Sequence, residues 1–172
     1  MSRISEETFR ELMELYTEPL LKIAYLYVHD WQAAEDLVQD MFLTYYEKSS
    51  QFAARASIKT YLTRMLINKC KDYLKSWRYR THLLTNKFFT KSSERNRIVE
   101  RDERLQLAEA VLGLPLPYRE VIIFYYFEEL TVAETAVTLA LSENTVKTRL
   151  RKARQLLKDR LIDERWEVLA DE

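Results

Sequence analysis

The 172-residue chain is poor in the residues that punctuate and cross-link folds: one glycine, three prolines, one cysteine and two histidines. With a single glycine there is no phosphate-cradling glycine-rich loop, which argues against nucleotide hydrolysis. Cys70 cannot form an intramolecular disulfide, and with only His29 and His82 for company it assembles no metal-ligand cluster by spacing. Two histidines outside any motif argue equally against an esterase or protease. Apolar runs are far too short to span a bilayer, and Met1 to Arg10 alternates charged and polar residues without the apolar core of a signal peptide. These absences predict a soluble cytoplasmic protein with no cofactor, metal, small-molecule substrate or membrane insertion, and no enzymatic chemistry.

What is abundant is helix-forming: Leu, Ala, Glu, Lys and Arg dominate. The length suits one ordinary domain or two small helical ones. A net charge of zero hides opposing blocks. Residues 1–50 carry 4 basic and 10 acidic side chains, and residues 51–100 carry 12 and 3. Residues 101–141 then carry 3 and 7, residues 142–160 carry 7 and 2, and the tail 1 and 5. Two separate basic surfaces for anionic ligands, with acidic faces for other contacts, fit this alternation.

Leu12, Leu15, Tyr16, Leu20, Ile23, Ala24 and Tyr27 recur at helical spacing from Phe9 to Val28, with an interruption expected near Pro19. After a break at His29-Asp30, Ala34, Leu37, Val38, Met41, Phe42 and Tyr45 form a second stripe, opposite Glu35, Asp36 and Asp40. Lys48 to Ala56 reads as a loop, and Ser57 as the N-cap of a third helix reaching about Trp77. Its polar face carries Lys59, Arg64, Asn68, Lys71 and Lys75. Periodicity fails between Arg78 and Glu100, which reads as a flexible linker with docking suggested by Leu83-Leu84 and Phe88-Phe89. A short helix from Asp102 ends at Gly113, and Pro115 and Pro117 break the chain before Tyr118 to Glu128 resumes helically. The expected fold is all-α: two small helical domains, residues 1–78 and 102–163, joined by a linker at 79–101 and followed by an acidic tail at 164–172.

The second domain contains the spacing of a helix-turn-helix. Two short helices that cross steeply need small residues where they touch and where the chain turns, and Ala136 and Ala140 stand there. Val146 and Leu150 face inward, with Leu139 and Leu141 around the turn, and Ser142 is placed to cap the second helix. Glu143, Asn144, Lys147, Thr148 and Arg151 then face outward, where Lys and Arg suit guanine, Asn suits adenine and the Thr methyl suits thymine. Arg149, Lys152 and Arg154 lie beside them for phosphates. Ala140 occupies a turn position that ordinarily prefers glycine.

Three matches in order, the last made of two stretches, resemble the extracytoplasmic-function (ECF) group of the sigma-70 family of bacterial RNA polymerase sigma factors. Ala33-Ala34-Glu35-Asp36-Leu37-Val38-Gln39-Asp40-Met41-Phe42 is similar to that family's DAEDLVQEVF segment. Ser57 to Leu62 with Arg64, Asn68 and Asp72 resembles its second pattern. Leu116 to Val121 and Thr145 to Leu150 resemble its C-terminal hallmarks. The resemblance implies a protein that binds core RNA polymerase, recognises −10 and −35 promoter elements and promotes initiation in an environmental or envelope-stress response. It assigns core polymerase binding, at the clamp helices of the largest subunit, to Glu35, Asp36, Leu37, Gln39, Asp40 and Phe42. To the −10 element it assigns Phe52, Arg55, Ser57, Lys59, Thr60, Arg64, Asn68 and Lys71, with a flipped base held in the loop after Phe52. The −35 element falls to Ser142, Glu143, Asn144, Thr145, Lys147, Thr148, Arg149, Arg151, Lys152 and Arg154. An anti-sigma factor is a further partner implied by the family alone.

The chain departs from the pattern at Ala54, in place of glycine, at Arg55, in place of an acidic residue, and at Tyr61, in place of tryptophan and read as a core aromatic. The linker is basic, with Lys87, Lys91, Arg95 and Arg97, where an acidic path is common. Its roughly 23 residues at about 3.3 Å each reach about 75 Å, enough for promoter elements about two turns of DNA apart. Two other readings compete: a conventional dimeric helix-turn-helix regulator, and a sigma-like decoy that binds polymerase without initiating.

Overall fold

A computed structural model describes residues 4–49, 57–76 and 109–160. All regular elements among the described residues are helical, and the chain divides into two compact units, residues 1–89 and 90–172. The expected linker, its Leu83-Leu84 and Phe88-Phe89 pairs, the loop with Phe52, Ala54 and Arg55, and the acidic tail lie outside the described residues.

The first unit packs three helices mutually: α1 (Glu6–Val28), α2 (Trp31–Lys48) and α3 (Ile58–Lys75). Each start is fixed by a polar cap. Ser5, Asp30 and Ser57 adopt extended backbone and accept side-chain hydrogen bonds from the N–H groups of Thr8, Ala33 and Thr60. His29 ends α1 in the left-handed region, φ 56°, and its N–H reaches the Tyr25 carbonyl, so the His29-Asp30 pair stops one helix and starts the next. The core is built from Leu20, Ile23 and Tyr27 of α1, Val38, Met41 and Phe42 of α2, and Leu62, Leu66 and Cys70 of α3. Each large aliphatic side chain buried this way contributes about 1.5–3 kcal/mol.

Two expectations for α1 are corrected. The helix runs through Pro19 without interruption. Proline there removes a single hydrogen-bond donor, the one that would reach the carbonyl four residues earlier at Leu15, a residue exposed to solvent. Leu15 itself is off the buried stripe at 63% exposure. It precedes Leu20 by five residues, a rotation of about 500°, which leaves it roughly 140° from the core-facing side.

In the second unit, residues 109–112 close a helical turn, with the Gly113 N–H bonded to the Glu109 carbonyl. There follow α4 (Leu116–Ile122), a π-helical turn (Ile123–Phe127), α5 (Val132–Leu139) and α6 (Glu143–Arg160). α4 and α5 both pack on α6, and Val121, Ile122, Ile123, Phe124, Val146, Leu150 and Leu157 form the core. The expected helix from Tyr118 to Glu128 thus changes period part-way. The Glu128 N–H reaches back five residues to Ile123, and Glu129 then turns left-handed at φ 51°.

Candidate nucleic-acid and polymerase interfaces

The turn between α5 and α6 is shaped by Ala140, whose φ of 54° and ψ of 46° place it in the left-handed region. The Leu141 N–H then closes on the Ala136 carbonyl at 2.9 Å, and Ala136 is buried where the helices meet. Both small residues therefore do what their spacing suggested. Upstream, Thr131 and Glu134 form a reciprocal capping box that fixes the start of α5. Hydrogen bonds from the Thr131 hydroxyl and N–H hold the Glu134 carboxyl below its ordinary pKa. Downstream, the Ser142 hydroxyl accepts from the Thr145 N–H at 3.1 Å, so α6 is capped as expected.

The inward residues of α6 are Val146, Leu150, Ala153 and Leu157. Its opposite stripe, Asn144, Thr148, Arg151 and Gln155, is exposed, and Glu143, Lys147 and Lys152 are exposed beside it. Thr145 and Arg149 are half-buried on one flank, next to Pro117 and Tyr118 of α4. Arg154 stands apart from this group. Its Nε donates to the Tyr126 hydroxyl at 2.7 Å, and its guanidinium lies 5.9 and 5.6 Å from the Tyr125 and Tyr126 ring centres. It ties α6 to the π turn instead of joining the outward face.

On the first unit, the residues read for polymerase binding separate into groups. Asp36, Leu37 and Asp40 line a groove with Asp30, Gln32, Ala33 and, from α3, Tyr73. Lys69 of α3 pairs with the Asp40 carboxylate at its edge. Gln39 is exposed, while Glu35 is half-buried on the other shoulder of α2, about 100° from Asp36. Phe42 is 2% exposed and packs edge-on to Phe9 at 6.2 Å, so it supports α2 from within and offers nothing to a partner. Leu43, which the sequence reading passed over, is 63% exposed beside Gln39 and Asp40.

Along α3, Arg64, Asn68, Lys71 and Lys75 follow helical spacing on a polar stripe, with Asn68 and Lys75 exposed. Lys59 is exposed in the first turn, and Thr60 turns its hydroxyl to Ser57 at 2.9 Å within the cap. Tyr61 packs edge-on to Tyr45 at 6.1 Å, in keeping with its reading as a packing aromatic.

Comparison with known proteins fits both units. Residues 12–80 match the family described as Sigma-70 region 2, and residues 104–157 match Sigma-70, region 4. The chain belongs to the ECF group of sigma-70 family sigma factors. It is 24% identical over 170 residues to the ECF RNA polymerase sigma factor SigW of Bacillus subtilis, covering 92% of this chain and 91% of that protein. With SigX of the same organism the identity is 26% over 174 residues, covering 92% and 90%. The fold is similar to that of the sigma factor RpoE from Bartonella quintana, solved with the anti-sigma factor NepR (TM-score 0.73, 22% identity, 92% of this chain and 99% of that one). It is also similar to CnrH in complex with the cytosolic domain of CnrY (TM-score 0.67, 22% identity, 98% and 92%).

As a sigma factor the protein binds core RNA polymerase and promoter DNA and initiates transcription, acting by binding and not by enzymatic chemistry. No helix among the described residues is long and apolar enough to cross a membrane. Three residues that lie at or beside these surfaces escaped the sequence reading. Leu43 follows Phe42 in an apolar run, so only burial tells which of the two is free. Tyr118 and Tyr126 carry no charge, and their closeness to α6 depends on packing between elements distant in sequence.

Proposed function

We propose that the two units of this sigma factor divide promoter recognition. Residues 1–78 dock on core polymerase and read the −10 element, residues 102–163 read the −35 element, and residues 79–101 span the interval. The observation that carries the −35 assignment is the outward face of α6: a capped start, then exposed Asn144, Lys147, Thr148 and Arg151 over an apolar inner face. Asn and the cations are suited to base edges in a major groove, with Arg149 and Lys152 on backbone phosphates.

For core polymerase, the acidic groove of Asp36, Leu37 and Asp40, extended by exposed Gln39 and Leu43, suits a basic helical partner with an apolar contact at its centre. Arg64, Asn68, Lys71 and Lys75 are suited to an unpaired −10 strand. Glu35 and Phe42 support α2 in this assignment, and Arg154 supports α6. Phe52 and Arg55 belong to this −10 site by the resemblance alone, Arg55 at a position where the chain departs from the family pattern. The protein acts in the cytoplasm, serves an environmental or envelope-stress response, and is held inactive by an anti-sigma factor, as the NepR complex of RpoE suggests by analogy.

Run-off transcription from a genomic fragment library, with purified chain and sigma-free core polymerase, tests the proposal. Discrete transcripts absent with core alone, sharing two elements about two helical turns apart, are expected. Core binding without initiation would instead identify a decoy, and dimeric operator binding without core a conventional regulator.

A further inference from the structure

Beside the outward face of α6 runs a groove whose two walls differ in chemistry. One wall is α6, with Thr145, Thr148, Arg149 and Lys152. The other is the first turn of α4, which contributes Pro117 and Tyr118 and no charge. That turn is well fixed. Pro115 precedes it with φ −55°, proline occupies its first turn, and α4 packs along α6. Arg119 donates to the Leu114 carbonyl through Nε at 3.3 Å and Nη2 at 3.1 Å, which directs a guanidinium into the turn and leaves Tyr118 as the polar side chain of this wall.

A helix seated in a major groove about 12 Å wide has a sugar–phosphate strand on each side. On the Arg149 side of α6, that strand would run along this groove, between the cations of α6, Arg149 and Lys152 with Arg151 behind them, and a phenol. A phosphodiester oxygen only accepts hydrogen bonds, and a tyrosine hydroxyl supplies a neutral donor on a rigid ring. We propose that Tyr118 is a DNA-backbone contact of this sigma factor: its hydroxyl donates to a phosphate of the strand held by Arg149 and Lys152, and so sets the position of α6 in the major groove. Arg154, bonded to Tyr126 on the other flank of α6, has no part in it. The inference rests on the reading of α6 as the −35 helix.

The test uses the full chain and a labelled mixed-sequence duplex of about three helical turns, because backbone contacts are independent of sequence. Affinity is measured over a salt series for the parent, Tyr118→Phe, Arg149→Ala and Lys152→Ala. Tyr118→Phe should weaken binding about tenfold, the size of a hydrogen bond to a charged group. Its slope of log affinity against log salt should stay unchanged, because a neutral hydroxyl releases no counterion, whereas each cation variant should lower the slope by about 0.9. The thermal midpoint of Tyr118→Phe should equal the parent's. Parental affinity in Tyr118→Phe, or a loss accompanied by a lowered midpoint, would overturn the Tyr118 contact while the α6 reading stands. Unchanged slopes in both cation variants would overturn the α6 reading and this inference with it.

Discussion

Ala140 and Glu129 adopt left-handed backbone at φ 54° and 51° without being glycine, a conformation that costs an L-residue roughly 1–2 kcal/mol. Ala140→Gly should therefore stabilise the second unit by about 1 kcal/mol, and raise its melting midpoint by about 4–8 °C. A midpoint that stays or falls would show that the turn is not strained. Only one of these positions was legible in the sequence. Ala140 stands where a helix-turn-helix demands a small residue, whereas nothing about a glutamate announces a positive φ. Burial is equally hard to read locally: Phe42 and Leu43 are adjacent and both apolar, yet one is 2% and the other 63% exposed. Cys70, in the core of the first unit, has its thiol pushed up by burial to about 12 from an ordinary 9.0. The folded state keeps this proton where the unfolded state loses it, so the stabilisation is full below pH 9.0 and is lost as pH rises toward 12. Thiol labelling at pH 8 should be slow in the native protein and fast in denaturant. Rapid native labelling would contradict the burial.

Among the elements, helix starts were legible and helix interiors less so. Ser57 and Ser142 precede apolar-periodic runs with the right side chain, and both cap as their chemistry dictates. The π turn at Ile123–Phe127 carries no local sign, because five apolar and aromatic residues in a row fit either helical period. Its consequence is tertiary, the Tyr126 hydroxyl meeting Arg154 of α6. For α5, Thr131→Ala should cost about 1 kcal/mol by opening the capping box, read as a lower midpoint of the second unit. Because the Glu134 pKa is depressed, its contribution is present above its ordinary value of 4.5 and is lost as pH falls through the depressed value. The gap in melting midpoint between parent and Thr131→Ala should narrow as pH falls from 7 into the range where the Glu134 carboxylate is protonated, while the part due to the Glu134 N–H bond to the Thr131 hydroxyl remains. A constant gap would show that the carboxylate has no part in the cap. In α1, Pro19→Ala restores one backbone donor, and should raise the midpoint of the first unit. A fall would mean that the proline fits the helix without cost.

At the scale of the whole molecule, the division into two helical units was legible from charge blocks and from the loss of periodicity after Trp77, although the linker itself lies outside the described residues. The alternation of acidic and basic segments corresponds to a groove with Asp36 and Asp40 in one unit and the cationic outward face of α6 in the other. Which residues share each surface was only partly legible. Helical spacing selects a face, but Arg154 and Phe42 are removed from their faces by partners that no spacing rule reveals. The central claim is that polymerase docking and −35 reading reside in separate units, and it is tested most directly by separating them. Core polymerase binding and run-off transcription should be measured for the parent, for Asp36→Lys with Asp40→Lys, and for Lys147→Ala with Arg151→Ala. The account predicts that the aspartate variant loses core binding, and that the α6 variant keeps core binding at parental affinity but no longer discriminates promoters by their −35 sequence. Loss of core binding in the α6 variant with its fold intact, or parental core binding in the aspartate variant, would contradict it.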